Sequence, residues 1–360
     1  MLPWLTERYG NPSGSHQVAR AARAAIDDAR DLAAAAVGVD PGGIVFTGGG
    51  TEADNLAVLG ALGRVGGAVV HSAIEHHAVL HAAIAARPAA ERREVPVGSD
   101  GVIDLERLAD ALDPSVALVS VMLVNNEVGT IQPLSEVARL MARRAPQALL
   151  HTDAVQAFPW VDVAELAGVA HLISLSAHKF GGPQGVGLLA VRPGVALTPI
   201  LHGGGQERDR RSGTHNVAGI VGMAAAMAAT RRTRAETVAR VGRLRDRLAD
   251  GLLASVEGSR ETGARAAKVA GNCHLCFAGV ESEALLVLLD EEGVCASAGS
   301  ACASGAIEPS HVLAAMGVPR AEALGSLRLS LGPTTGDDDV ARALDVVAAA
   351  VHRLRQVVLR

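Results

Sequence analysis

The sequence predicts an α/β protein with a mainly parallel central sheet flanked by helices, followed by a smaller C-terminal α+β domain. Three observations carry this. From residue 44 onward short apolar runs alternate with helical patterns, a long helical stretch rich in Ala, Leu and Arg then ends that alternation, and strands and helices beyond it follow a different order. At 360 residues the chain is long enough for one large domain plus a smaller one, set here at 1–233 and 234–360.

In order, the apolar runs 44–46, 68–71, 117–124, 148–152, 171–175 and 186–191 are the expected strands, and 52–63, 76–86, 104–112 and 134–145 the helices between them. Such βα repetition puts active sites at the strand carboxyl ends. The helical stretch 217–253 is the expected hinge. A strand pair around 272–277, a helix over 283–291, a Gly/Ser/Ala-rich loop to Gly305, a strand near 326–331 and a helix over 337–359 complete the chain, with no repeats and no low-complexity linker.

Composition narrows the function. Hydrophobic residues make up 49%, charged residues 20%, and the net charge of -5 offers no basic field for nucleic acid or a membrane surface. The apolar run 217–229 is too short to span a bilayer and runs into Arg231, Arg232 and Arg234, so it reads as a buried helix. The expected partner is a small molecule or another protein. The opening residues do not read as a secretory signal, and four cysteines are too few for a disulfide framework, so the expected compartment is the cytoplasm. Of 33 basic residues only two are lysines, Lys179 and Lys268. A lysine amine can lose its proton and attack a carbonyl, which a guanidinium cannot.

Five segments could carry chemistry. Phe46 to Glu52 is a strand running through three glycines into a helix, suited to an anion; alone it is equally a plain strand-to-helix turn. Ser176-Ala177-His178-Lys179 follows another strand, with Gly181 and Gly182 leaving room for a bulky ring. Asp153 and Gln156 stand past a third strand end, where Asp153 is either the partner of a cation or a helix N-cap. His76, in Glu75-His76-His77, can stack on an aromatic ligand and move protons; a core or metal-binding role is the rival, but no convincing metal spacing accompanies it. Cys302 sits in a loop of small residues, as an exposed nucleophile would, whereas Cys273, Cys276 and Cys295 are expected to be buried.

Together these segments closely resemble the group I cysteine desulfurases, the NifS/IscS type within the class V aminotransferase-like enzymes that use pyridoxal 5'-phosphate (PLP). The landmarks are YGNPSGSH (9–16), FTGGGTEADN (46–55), EHHAVL (75–80), VNNEVGT (124–130), HTDAVQ (151–156), SAHKFGGPQGVG (176–187), HGGGQERDRRSGT (202–214), GSACASG (299–305), EPSHVL (308–313) and LRLSLG (327–332). The resemblance implies PLP fold type I, with Lys179 carrying the cofactor, His76 over its ring, Asp153 on the pyridine nitrogen, and Asn126 and Gln156 near the ring hydroxyl. Gly50, Thr51, Ser176 and His178 would hold the phosphate, with Thr214 reaching over from the other subunit of a homodimer. Arg328, assisted by Asn11, would hold the carboxylate of L-cysteine.

Catalysis would then use Lys179 and His76 for proton transfer and Cys302 as the acceptor of sulfur, giving alanine and a persulfide. An iron–sulfur scaffold or a tRNA-thiolation partner would take the sulfur. No resident metal is implied, although Cys302 could ligate a transferred iron–sulfur cluster. The rivals are a selenocysteine lyase or an aminotransferase on the same fold, and an inactive truncated homologue. One departure stands out: the family's usual opening strand and turn, roughly LDNAATTP, is absent before YGNPS, so the start is expected upstream of Met1 or the copy is truncated.

Overall fold

The computed structural model describes residues 1–86, 91–299 and 310–358. Its contacts divide the chain into two compact units, one of residues 1–95, 105–124 and 132–234, the other of 96–104, 125–131 and 235–360. Two short excursions of the N-terminal half thus belong with the C-terminal unit, and Asn126 lies in one of them.

The first unit is built on a seven-stranded sheet ordered β1-β7-β6-β5-β4-β2-β3, with β1 Ile44–Thr47, β2 Ala68–Ser72, β3 Arg92–Val95, β4 Val116–Ser120, β5 Leu149–Asp153, β6 Leu172–Ser176 and β7 Gly187–Val191. The pairs β2/β3, β2/β4, β4/β5 and β5/β6 are parallel, while β7 runs antiparallel to both neighbours, β6 and β1. Only β7 is reversed, so β1 points the same way as β6. The expected strand over 117–124 stops at Ser120, although Val121 and Leu123 still donate to the β5 carbonyls of His151 and Asp153.

The principal helices are α1 Gln17–Val37, α2 Gly50–Val65, α3 His77–Ala86, α4 Leu105–Ala111 and α5 Leu134–Arg144, followed by α6 Val217–Ser255. Leu56 and Leu62 of α2 are at most 1% exposed and pack with Val45, Val69, Leu118 and Leu189 in the core. Each such side chain contributes about 1.5–3 kcal/mol. Helix α1 has no counterpart among the expected elements, because its buried face is largely alanine (Ala19, Ala22, Ala29, Ala33) and contrasts little with its surroundings. β3, Arg-Arg-Glu-Val at the sheet edge, carries no apolar run at all.

The second unit contains the C-terminal part of α6 and a three-stranded antiparallel sheet ordered β10-β9-β8, with β8 Ser259–Glu261, β9 Asn272–Phe277 and β10 Ser326–Ser330. Helices α7 Ser282–Glu291 and α8 Asp337–Val358 belong to it. Cys273 and Cys276 are buried on β9, as expected, but Cys295 is exposed. α7 ends at Glu291 and Gly293 then turns the chain at φ 73°, so the apolar run containing Cys295 is not a continuation of the buried helix.

A buried ionic cluster fixes the loop over 202–214. The Glu207 carboxylate accepts from both Arg30 nitrogens at 2.7 and 2.9 Å, from the Phe46 backbone N–H at 3.0 Å, and from His215 Nε2 at 2.6 Å. Glu207, Arg208 and Asp209 all adopt left-handed φ angles of 51–61°, a strained run that the cluster holds in place. Burial alone would raise the Glu207 pKa, but the hydrogen bonds from His215 and Arg30 reverse this and bring it down to about 2. A carboxylate with a lowered folded-state pKa stabilises above its unfolded pKa and loses that contribution as pH falls through the folded value. Glu207→Ala is therefore expected to cost about 3–5 kcal/mol at pH 7, measured by urea unfolding. The gap from wild type should narrow as pH drops from about 4.5 towards about 2.

Candidate active site

Four strand ends supply most of the side chains that the sequence singles out in the first unit. β1 passes through Gly48 and Gly49 into α2, and β2 leads to Glu75 and His76. β5 ends at Asp153 with Gln156 three residues on, and β6 ends at Ser176 and enters a tight turn, Ala177–Phe180, that carries His178 and Lys179.

At the β1 end, Gly49 caps α2 at φ 151°, a backbone that side chains rarely adopt. A Cβ on Gly50 would meet Val155 Cγ2 at 2.7 Å. The turn is bare backbone at the positive end of a helix, which is an anion site. Ser176 Oγ and His178 Nδ1 stand 2.9 Å apart and line, with residues 48–52, Asn55 and Gln184, a cavity of about 760 Å³. Burial and the charge of Lys179 both lower the His178 pKa, which favours the neutral ring. Glu52 accepts from Gly48 N–H at 2.7 Å and pairs with Arg211 at 2.7 Å, tying the 202–214 loop to this turn. Thr214 is exposed at the end of that loop.

Beside the cradle lies a set of buried acids. Asp153 is 5% exposed and its Oδ1 accepts from Val155 N–H at 2.9 Å, a local turn rather than a helix cap. Burial first, and the nearby charge of Asp54 second, push the Asp153 pKa up to about 7, while the Val155 N–H hydrogen bond, His151 and Lys179 pull it down. Donor atoms of Asp153, Asp54 and His76 lie within 4.8 Å of one another. His76 is half-buried, and its Nδ1 accepts from Ala78 N–H at 3.1 Å, which sets the ring at the start of α3. Lys179 is exposed at the mouth of the sheet, and Gln156 is half-buried. Asn11 is exposed, its Oδ1 accepting from Ser13 N–H.

In the second unit Arg328 lies on β10, half-buried, and its Nη1 donates to the Asn126 carbonyl at 2.9 Å. Its backbone also pairs with Ser297. Cys302 lies outside the described residues. The residues bounding that segment both lie against Glu127: Ser310 Oγ donates to its carboxylate, and a Cβ on Gly299 would meet Glu127 Oε2 at 2.6 Å.

Four buried groups go beyond the residues that the sequence singles out: Asp54, Glu75, His151 and Glu127. All four fall inside the landmark segments. Asp54 also stands at helical spacing from buried Ala57, Val58 and Ala61, a pattern that marks it as an acid on an apolar face.

Residues 1–343 match the family model of the class-V aminotransferases, and the chain belongs to that family. Its relatives there are cysteine desulfurases of the NifS/IscS type. It is 43% identical to the cysteine desulfurase IscS of Methanosarcina thermophila over 99% of this chain and 89% of that protein. Among solved structures, a NifS-like protein superposes with TM-score 0.91 at 34% identity, over 98% of this chain and 94% of the other. A second, SspA in complex with cysteine, does so with TM-score 0.80 at 30% identity, over 93% and 94%. The architecture is therefore PLP fold type I.

The glycine turn generates a direct test. Gly50→Ala should weaken capture of pyridoxal phosphate about tenfold, or about 1.4 kcal/mol, measured by absorbance titration of the protein with the cofactor.

Proposed function

We propose that the chain is a PLP-dependent group I cysteine desulfurase that converts L-cysteine to L-alanine and leaves the sulfur as a persulfide on Cys302. The observation that carries the reading is the row of strand ends in the first unit, where a bare helix N-terminus, a buried acid and a lysine stand along one sheet edge. These residues fit the cofactor. The glycine cradle suits its phosphate, and Asp153, costly to ionise where it is buried, suits a protonated pyridine nitrogen.

Gly50, Thr51, Ser176 and His178 would hold the phosphate, joined by Thr214 from the other subunit of a homodimer. Asp153 would face the ring nitrogen, Asn126 and Gln156 the ring hydroxyl, and His76 the ring plane. Bound PLP supplies an electron sink for negative charge developing at the substrate Cα. Lys179 would carry the cofactor, and its free amine would take and return the substrate Cα proton, with His76 assisting. Arg328, with Asn11, would hold the substrate carboxylate in the paired geometry a guanidinium favours.

The Cys302 thiolate attacks the substrate sulfur, so that a sulfur–sulfur bond forms as the carbon–sulfur bond breaks. Alanine leaves, and the persulfide sulfur passes to an acceptor, an iron–sulfur scaffold or another sulfur-accepting protein, in the cytoplasm. Neither nucleic acid nor membrane enters this scheme. No helix among the described residues is long and apolar enough to cross a membrane.

Two variants test the reading. Lys179→Ala purified after expression with PLP should lack the yellow band of lysine-bound cofactor and release no sulfide. Cys302→Ser should keep the yellow band and its response to L-cysteine yet lose sulfide release by at least about a hundredfold, at least about 2.7 kcal/mol in barrier height. A Cys302→Ser protein that still produced sulfide at the wild-type rate would sink the assignment of the sulfur acceptor.

A further inference from the structure

Behind Asp153 the first unit buries a polar network that the proposed chemistry does not use. Asp54, on α2, is 1% exposed, Glu75 and His151 are fully buried, and all three stand close to Asp153. His151 Nε2 lies 3.0 Å from Ser174 Oγ and 3.5 Å from Asp54 Oδ1, and its Nδ1 lies 2.9 Å from Ser120 Oγ. Ser120 Oγ in turn donates to Glu75 Oε2 at 3.3 Å, while Glu75 Oε1 accepts from Met122 N–H at 2.7 Å. Asp54 Oδ1 is itself buried without a hydrogen-bond partner.

Three carboxyl groups thus share one sealed interior with hydroxyls and an imidazole. Burial raises Asp54 to about 7, partly offset by a Ser174 hydrogen bond, and raises Glu75 to about 8, reinforced by the charges of Asp153 and Asp54. Burial also pulls His151 down to about 4, so this ring is neutral and forms no ion pair with Asp54. Two carboxylates within 4.8 Å of each other in such a medium do not both ionise. A protonated ring nitrogen facing one of them decides which does.

We propose that Asp54 is a positioning residue for the cofactor ring: a buried, protonated acid that confines the negative charge of the Asp54/Asp153 pair to Asp153. This rests on the assignment of Asp153 to the pyridine nitrogen. Asp54 touches neither substrate nor reacting atoms; it acts by holding the proton that Asp153 gives up. The charged and titratable groups that face the pair are Glu75, His76, His151 and Lys179. The Val155 N–H, His151 and Lys179 favour the ionised form of Asp153, whereas a Ser174 hydrogen bond is what opposes burial at Asp54.

The test is infrared difference spectroscopy of the holoenzyme at neutral pH, wild type against Asp54→Asn, together with the pH midpoint of the yellow band in both and in Asp54→Ala. The expected result is a carboxylic-acid carbonyl band in wild type that Asp54→Asn removes. Asp54→Ala should shift the pH midpoint, and Asp54→Asn, isosteric with the neutral acid, should restore it, which a purely structural side chain would not do. Loss of a carboxylate band instead, which would show Asp54 ionised, or a midpoint shifted equally by Asn and Ala, which would show that an isostere of the neutral acid does not replace it, overturns the proposal. So does a stoichiometric metal ion in the dialysed protein that Asp54→Asn abolishes, since the Asp54, Asp153 and His76 trio would then be a cation site. Failure of the underlying reading is separately visible: Asp153→Asn would keep wild-type cofactor affinity and colour, whatever Asp54 does.

Discussion

Strands β1, β2, β4, β5 and β6 run in one direction, and the placement of the cradle, the acids and Lys179 follows from that. The reversal of β7 is equally necessary. A parallel β7 would need a crossover of a dozen or more residues after β6, which would carry the chain away from the edge where Lys179 lies. Because β7 is antiparallel, residues 177–186 return along the same edge, with Gly181 left-handed at φ 80°. β7 also separates β1 from β6, yet the glycine turn reaches across it to Ser176: a Cβ on Gly50 would lie 3.4 Å from Ser176 Cβ. Gly187 opens β7 in that gap. A Cβ there would meet Leu175 O at 2.5 Å and the Gly49 carbonyl carbon at 2.7 Å, so its absence lets the turn settle over the strand.

The alternation of strands and helices is legible because a parallel sheet covered on both faces needs continuous apolar runs, and β4 to β7 supply them. Where the burial demand relaxes, the signal fades, as in β3, whose Arg92 and Glu94 are exposed at the sheet edge. Lys179, Asp153 and His76 could be picked out because strand ends are local in sequence and each carries an unusual residue type. Asp54 and His151 are less conspicuous: an acid in a helix ordinarily reads as surface, and only helical periodicity with Ala57, Val58 and Ala61 sets it inside. The assignment of 125–131 to the C-terminal unit could not be read locally at all. It follows from long-range contacts, such as Asn272 Nδ2 donating to the Glu127 carbonyl and Arg328 to the Asn126 carbonyl.

Two groups of buried acids in the same unit show how neighbours decide the sign of a charge effect. Glu207 is buried against Arg30, a backbone N–H and His215, and its pKa goes down. Asp54, Glu75 and Asp153 are buried beside serine hydroxyls and a neutral imidazole, and theirs go up. The first arrangement is complete: donor and acceptor are matched inside the chain, and it clamps a strained loop. In the second, burial is the largest influence on all three acids, and the hydrogen bonds and charges around them offset it only in part. In the proposed reading a protonated ring nitrogen at Asp153 would supply a single positive charge, enough for one of the three acids to ionise.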